Sequence, residues 1–263
     1  AFGDDRLYLE HYVTNARHIE VQVMGDARGN LRHFFERDCS IQRRHQKMVE
    51  EAPCPILTTD LRQTMIAAAL AIARHIRYLS AGTVEFIYDQ DLKKFYFLEM
   101  NTRIQVEHPV TEMITGADLV KEQIRIARGE EISYPQEEIS SAGHAIECRI
   151  NAEAPEADFR PSPGEIQAWK APVGPDIRLD THCYAGYFVP PYYDSLLAKL
   201  IVKRPSRPEA IGAMERALSE FHISGIDTTV SFCSRIMQND RYRRGEISTN
   251  WIENIFLPGQ AAG

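Results

Sequence analysis

A chain of 263 residues with 44% hydrophobic and 25% charged positions can bury a substantial core as one large or two modest domains, which excludes wholesale disorder. Its 37 acidic residues against 30 basic ones give a formal charge of −7, so any basic function is local rather than a general grip on nucleic acid or anionic lipid. No apolar run approaches the roughly 18 residues of a membrane span, and Cys39, Cys54, Cys148, Cys183 and Cys233 form no CxxC pair. This argues against a zinc site or a disulfide framework and for a reducing compartment.

The opening AFGDDRLYLEHYV has no starting Met and little lead-in, which reads as part of a longer chain. Strands are expected over residues 7–13 (LYLEHYV), 16–26 (ARHIEVQVMGD) and 31–38 (LRHFFERD), the last two joined by a turn at Gly25 to Asn30. The stretch CSIQRRHQKMVEEAPCP has no clean period and ends in prolines, so it reads as a loop. Residues 59–78 form the best helix, with Thr58 or Thr59 as its cap, apolar residues at helical spacing and abundant Ala. Strands GTVEFIY and KFYFLEMN flank the polar turn DQDLK, and a helix over 117–128 ends at Gly129. The polar, irregular segment from Glu130 to Gly143 marks a boundary between two parts, 1–138 and 139–263. Strand-like HAIECRINA, the Pro/Gly-rich PSPGEIQAW, short strands to about Lys203 and helices over 208–221, 228–238 and 248–255 complete the chain. The fold class is α+β, with a mostly antiparallel sheet.

If DQDLK is a five-residue turn, Tyr88 pairs with Lys94, Glu85 with Phe97 and Thr83 with Glu99. Glu85, Glu99 and Asn101 then share one face, the two carboxylates on a cross-strand diagonal, with Val84, Phe86, Leu98 and Met100 on the core side. Two carboxylates and an amide oxygen suit a hard cation, chiefly magnesium; a merely solvated strand face is the competing reading. Beyond them, NTRIQVEHPVTE adds Arg103, Gln105, Glu107 and His108 on a loop, a run of anion donors with a potential base. Arg37, Arg43, Arg44, His45 and Lys47, interleaved with Gln42 and Gln46, form a basic cluster suited to phosphate or bicarbonate. A nucleic-acid patch is weakened by the lack of stacking aromatics and by Glu50 and Glu51; a self-neutralising loop is the plainest alternative. There is no HExxH, GxSxG, P-loop or GxGxxG, so a nucleotide would need another device to hold its phosphates.

In this order, ERDCSIQRRHQKMVEEAP, GTVEFIYD, FLEMNTRIQVEHPVTEMITG, GHAIECRINAE and AGYFVPPYYDSLLAKLI closely resemble biotin carboxylase, the ATP-grasp component of biotin-dependent carboxylases. The resemblance covers essentially the whole chain, and EMNTRIQVEHPVTE separates it from carbamoyl-phosphate synthetase. It implies the C-terminal half of an ATP-grasp domain followed by a biotin carboxylase C-terminal domain. It also implies a two-step reaction, in which ATP phosphorylates bicarbonate to carboxyphosphate, which carboxylates N1′ of biotin on a separate carrier.

By the same resemblance, Glu85, Glu99 and Asn101 are ligands of magnesium or manganese on ATP. Lys47, Arg103, Gln105 and the backbone of Val106 form the bicarbonate site, with Arg103 at the reacting centre. Glu107 is the base that deprotonates bicarbonate, and Arg149 stabilises an enolate-like biotin oxygen. His18, Gln42 and His45 contact the nucleotide, and Glu10, His11 and Val13 belong to the adenine hinge, where His11 replaces the family's frequent Lys. Implied partners are bicarbonate, a biotin carrier domain, a carboxyltransferase and a second copy in a homodimer, with no nucleic acid or membrane, in the cytoplasm or a eukaryote's mitochondrial matrix. The family's N-terminal domain, its lid with a glycine-rich loop and the Met-Lys-Met biotinylation signal have no counterpart here. The chain by itself is therefore expected to be inactive, with a noncatalytic dimerisation or binding module as the alternative. The final acceptor, whether acetyl-CoA, propionyl-CoA, 3-methylcrotonyl-CoA, pyruvate or urea, is not encoded in this segment.

Overall fold

The computed structural model describes residue 7 and residues 9–261. Among these, β1 (Ala16–Gly25), β2 (Leu31–Arg43), β3 (Gln46–Ala52), β4 (Ser80–Asp89), β5 (Lys94–Asn101), β6 (His144–Asn151), β7 (Ile177–Thr181) and β8 (Leu196–Arg204) form one sheet. Its order is β7–β8–β6–β3–β2–β1–β4–β5, and every neighbouring pair is antiparallel. The sheet crosses residue 138 without a break, because β6 pairs directly onto β3. The segment Glu130–Gly143, read as a boundary, packs on the sheet: Ile132, Tyr134 and Ile139 join a cluster with Met24, Phe34, Leu119 and Ile126.

Period-two alternation builds the core. In β1, Ile19, Val21 and Val23 point to one face, where with Val84 and Phe86 of β4 they meet Met65, Ile66, Ala69 and Ala73 of helix α1 (Thr59–His75). Thr58 caps that helix by accepting from the Leu61 N–H at 3.3 Å. In β6 and β8, Ile146, Cys148, Ile150, Leu200 and Val202 pack on helices α4 (Arg207–Glu220) and α5 (Val230–Gln238). The other sheet face carries His18, Glu20, Gln22, Thr83, Glu85, Glu147 and Arg149. It is not left to water, because α2 (His108–Thr115) lies across β2, β3, β6 and β8. Glu20, Gln22 and Thr83 are fully buried there. No helix of the described residues is long and apolar enough to cross a membrane.

Several sequence expectations change. The described part of LYLEHYV is not a strand (Tyr8 lies outside the described residues): both edges of β1 are taken by β2 and β4, and Leu9 and Tyr12 stand exposed. The expected loop at 39–55 is mostly the hairpin β2–β3. Register shifts in that pair break its alternation, and its two-residue turn, Arg44–His45, has φ of 48° and 64° without a glycine to announce it. Between β4 and β5 the turn is one residue shorter than expected, and Leu98 is the extra residue of a bulge. Glu85 therefore faces Glu99 directly and Thr83 faces Asn101, while Leu98 is exposed instead of core. Helix α2 occupies part of the stretch expected to be loop, and α6 (Asp240–Arg244) has no counterpart among the expected helices. The helix expected over 117–128 is α3 (Leu119–Ala127), capped by Asp118. The chain is π-helical over Ile252–Phe256 and continues as an α-helix over Leu257–Ala261.

Phe232 sits edge-on to both Phe159 and Phe256 and is fully buried. Phe232→Ala should cost about 3–5 kcal/mol of unfolding free energy, whereas Thr58→Ala should cost about 1 kcal/mol. Denaturant unfolding of both variants checks this; equal costs would contradict the packing described.

Candidate active site

A cleft of about 1170 Å³ opens over the polar face of the sheet. Every site residue that the family resemblance implied lines it: Glu10, His11, Val13, His18, Gln42, His45, Lys47, Glu85, Glu99, Asn101, Arg103, Gln105, Val106, Glu107 and Arg149. Its centre is the Lys47 ammonium, which donates to Glu20 at 2.6 Å, Glu107 at 2.6 Å and Glu85 at 3.2 Å. These acceptors come from β1, the loop entering α2, and β4. Glu107 is also reached by Arg149 at 2.9 Å, and Arg149 Nε donates to Glu50 at 2.6 Å. A continuous chain of charge-assisted bonds thus runs from the β4 carboxylate to β6.

The β4–β5 end supplies the candidate metal ligands. The Asn101 Nδ2 lies 3.0 Å from Glu85 and 3.2 Å from Glu99, so two carboxylates converge on one amide, and Arg103 donates to Asn101 Oδ1 at 3.2 Å. The oxygen donors fit a hard divalent cation once the Asn101 side chain turns its oxygen inward. Among the described residues, tight clusters with metal-ligand chemistry are His18, Glu20 and Glu85, and Glu20, Cys39 and Glu107. Both surround Lys47, whose ammonium already supplies the positive charge.

Burial pushes the Glu20 carboxyl upward, but Arg37, Lys47 and His18 outweigh it and hold the pKa at about 2, below the ordinary 4.5. Burial likewise opposes ionisation of Glu85, yet the His18 hydrogen bond and Lys47 hold it well below the usual carboxylate range. The Lys47 amine is pulled down by burial and pushed further up by its carboxylates, so it stays charged.

The expected basic cluster is dispersed. Arg37 is fully buried and is scaffold: it donates to Glu20 (2.5 Å), Gln22 (2.8 Å), Thr111 (2.9 Å), Gln105 (3.1 Å) and Thr83 (3.2 Å). Arg43 pairs with Asp158 and lies over the Phe159 ring, and Arg44 pairs with Asp158 at 3.1 Å. Of the cluster, Lys47, His45, Arg44 and the two glutamines line the cleft, whereas Arg37 and Arg43 do not. His108 does not line the cleft: its Nδ1 donates to the Gln105 carbonyl at 2.8 Å, and burial lowers its pKa. Sequence reasoning missed Glu20, Glu50 and Lys199, whose Nζ donates to the Val106 carbonyl at 3.0 Å. The alternation of β1 places Glu20 on the His18 face and could have found it; nothing local marks Lys199.

The family described as "Carbamoyl-phosphate synthase L chain, ATP binding domain" matches residues 1–134, and "Biotin carboxylase C-terminal domain" matches residues 147–254. The chain is 56% identical to a pyruvate carboxylase subunit of Methanothermobacter thermautotrophicus over 253 residues, which are 96% of this chain and 51% of that protein. It is 53% identical to the biotin carboxylase of Nostoc sp. over 255 residues, 97% of this chain and 57% of that protein. Among solved structures, the biotin carboxylase domain of a thermophilic 2-oxoglutarate carboxylase bound to bicarbonate superposes with a TM-score of 0.90 at 51% identity, covering 92% of this chain and 54% of that one. The biotin carboxylase–β-γ-ATP complex from Campylobacter jejuni gives 0.91 at 47% identity, covering 95% and 56%. The fold is thus an ATP-grasp ATP-binding portion joined to a biotin carboxylase C-terminal domain. The chain belongs to the biotin carboxylase family, and it spans about half the length of the relatives it matches.

Because Glu20 and Glu85 have depressed pKa values, the stability they contribute is fully present above about pH 4.5 and is lost as pH falls toward about 2. Urea unfolding should show stability falling through that window, and a flat acid limb would contradict the ion-pair assignment.

Proposed function

We propose that the protein carrying this chain uses MgATP and bicarbonate to carboxylate biotin on a carrier protein, through carboxyphosphate. The observation that carries this reading is the hydrogen-bonded chain Glu85–Lys47–Glu107–Arg149, which joins a cation-type site, a base and a fixed guanidinium in one cleft.

Glu85, Glu99 and Asn101 would hold magnesium or manganese, which when bound neutralises phosphate oxygens during transfer. Lys47 and Arg103, with Gln105 and the Val106 backbone, orient bicarbonate. Lys199 fixes the Val106 carbonyl and so the peptide that carries the site. Glu107, with one oxygen on Lys47 and the other on Arg149, keeps lone pairs with which to accept the bicarbonate proton. Bicarbonate so activated attacks the γ-phosphorus and ADP leaves. Arg149 then meets negative charge on the biotin oxygen as N1′ takes the carboxyl group from carboxyphosphate, releasing phosphate, which takes up the N1′ proton. His18, Gln42 and His45 contact the nucleotide, with Glu10, His11 and Val13 at the adenine end.

The further partners are a carrier domain, a carboxyltransferase and a second copy of the chain. All five cysteines are free and buried, which supports a reducing compartment, cytoplasm or mitochondrial matrix. For the 263-residue chain taken alone the proposal is binding without turnover, since the relatives are about twice its length. Residues 1–138 and 139–263 are two evolutionary units that share one sheet.

In the complete protein, Glu99→Gln should reduce metal-dependent ATP cleavage to background, because the shape stays and the charge goes. Arg149→Ala should lower carboxylation of biotin by about 100-fold, well beyond its effect on bicarbonate-dependent ATP cleavage. Paired assays of both reactions check this; a normal Glu99→Gln enzyme would refute the metal role, and equal losses in Arg149→Ala would refute the biotin role.

A further inference from the structure

On the sheet face beneath α2, Glu50 of β3 and Glu147 of β6 stand directly opposite each other in the antiparallel register, and both are fully buried. Opposed residues of this kind have Cβ atoms about 5 Å apart, within reach for two carboxyl groups. Glu50 Oε1 accepts from Arg149 Nε at 2.6 Å, but Glu50 Oε2 and both oxygens of Glu147 have no hydrogen-bond partner. Three orphaned carboxyl oxygens in one buried place would be costly if both groups were anions.

The cations that face Glu147 are already engaged. Arg149, on its own strand, bonds Glu50 and Glu107, and Lys199 of β8 bonds the Val106 carbonyl and lies 3.3 Å from Asp180. Glu107, at the N-terminal end of α2, adds another negative charge. From α2 itself, Val110 and Ile114 pack with Ala52, Ala145 and Ile201. Its remaining titratable groups turn elsewhere, His108 to the Gln105 carbonyl and Glu112 to Arg178.

We propose that Glu50 and Glu147 share one proton, with Glu147 the neutral acid and Glu50 the anion, and that this pair positions the Arg149 guanidinium over the cleft. The proposal rests on the function given above for Arg149. The proton on Glu147 turns toward Glu50 Oε2 and satisfies two of the orphaned oxygens with one O–H bond. Glu50 is left as the single anion on the sheet side of Arg149, balanced by Glu107 on the cleft side. Burial and the opposing carboxylate drive the pair toward proton uptake, Glu147 more than Glu50 because the guanidinium sits on Glu50. Ionisation of Glu147 would set a second anion two residues from Arg149 and draw the guanidinium down toward the sheet. Glu50 and Glu147 are positioning residues: they act through Arg149.

Infrared spectroscopy of the complete protein tests this directly. At pH 7 the wild type should show the carbonyl band of a protonated glutamic acid, shifted by ¹³C-glutamate labelling and removed in Glu147→Gln. The neutral, isosteric Glu147→Gln should carboxylate biotin within about threefold of wild type. Its ratio of carboxylation to ATP cleavage should stay level at alkaline pH, where the wild-type ratio falls. Glu50→Gln should lower carboxylation about 100-fold while ATP cleavage changes only a few-fold. A wild-type spectrum without the band overturns the shared proton even if Glu147→Gln fails to fold, and so does a band that persists in that variant. Wild-type bicarbonate-dependent ATP cleavage is read in parallel: its absence overturns the proposed function and leaves the spectrum to decide the proton, whereas cleavage without the band overturns the proton alone.

Discussion

One ammonium group organises this molecule. Lys47 lies in a place where three carboxylates from three different elements converge, and its side chain is only 13% exposed. Removing a charge from water is costly unless its partners are well placed, and losing one partner of such a set strands the rest. The placement of β3 between β2 and β6, the hairpin turn before Lys47 and the entry of α2 together bring these charges to one point. Arg37 plays the supporting part, directing its guanidinium donors to the side chains that hold Glu20, Gln105 and α2 in place.

The sheet supplies the geometry for this by being covered on both faces. One face is apolar and packs on α1, α4 and α5, as alternation dictates. The other carries acids and bases that would ordinarily be left to water, yet α2 and the loop before it bury them. In that low-dielectric setting ion pairs and hydrogen bonds shift protonation downward at Glu20 and Glu85, while burial and neighbouring carboxylates shift it upward at Glu50 and Glu147. Carboxylates with opposite shifts on one surface are what acid–base and metal chemistry need: Glu20 and Glu85 each have more than one hydrogen-bond partner, whereas among the described residues Glu50 has Arg149 alone and Glu147 has none.

Much of this was legible in the sequence, and the failures have physical causes. The β4–β5 hairpin was readable because its alternation is clean: Glu85, Glu99 and Asn101 share a face as expected, although a bulge at Leu98 changes which residues stand opposite. The β2–β3 hairpin was not readable, since buried polar residues on a doubly covered sheet carry no hydrophobic period. Its turn also uses Arg44 and His45 at positive φ where glycine or asparagine would be the signal. The basic cluster of composition proved to be several separate devices: Arg37 beneath the sheet face, Arg43 and Arg44 on Asp158, and Lys47 in the cleft. Linear proximity cannot distinguish these, because adjacent strand residues point to opposite faces. Glu50, Glu147 and Lys199 gain their importance only from cross-strand neighbours that lie up to about a hundred residues away in sequence.

The central claim is that the Lys47 charge neutralises three buried carboxylates at once. The direct measurement is the difference in unfolding free energy between wild type and Lys47→Met across pH. The account predicts a deficit of about 3–5 kcal/mol at pH 7 that shrinks as pH is lowered and Glu20 and Glu85 take up protons in the variant. A difference independent of pH, or no difference at all, would contradict it.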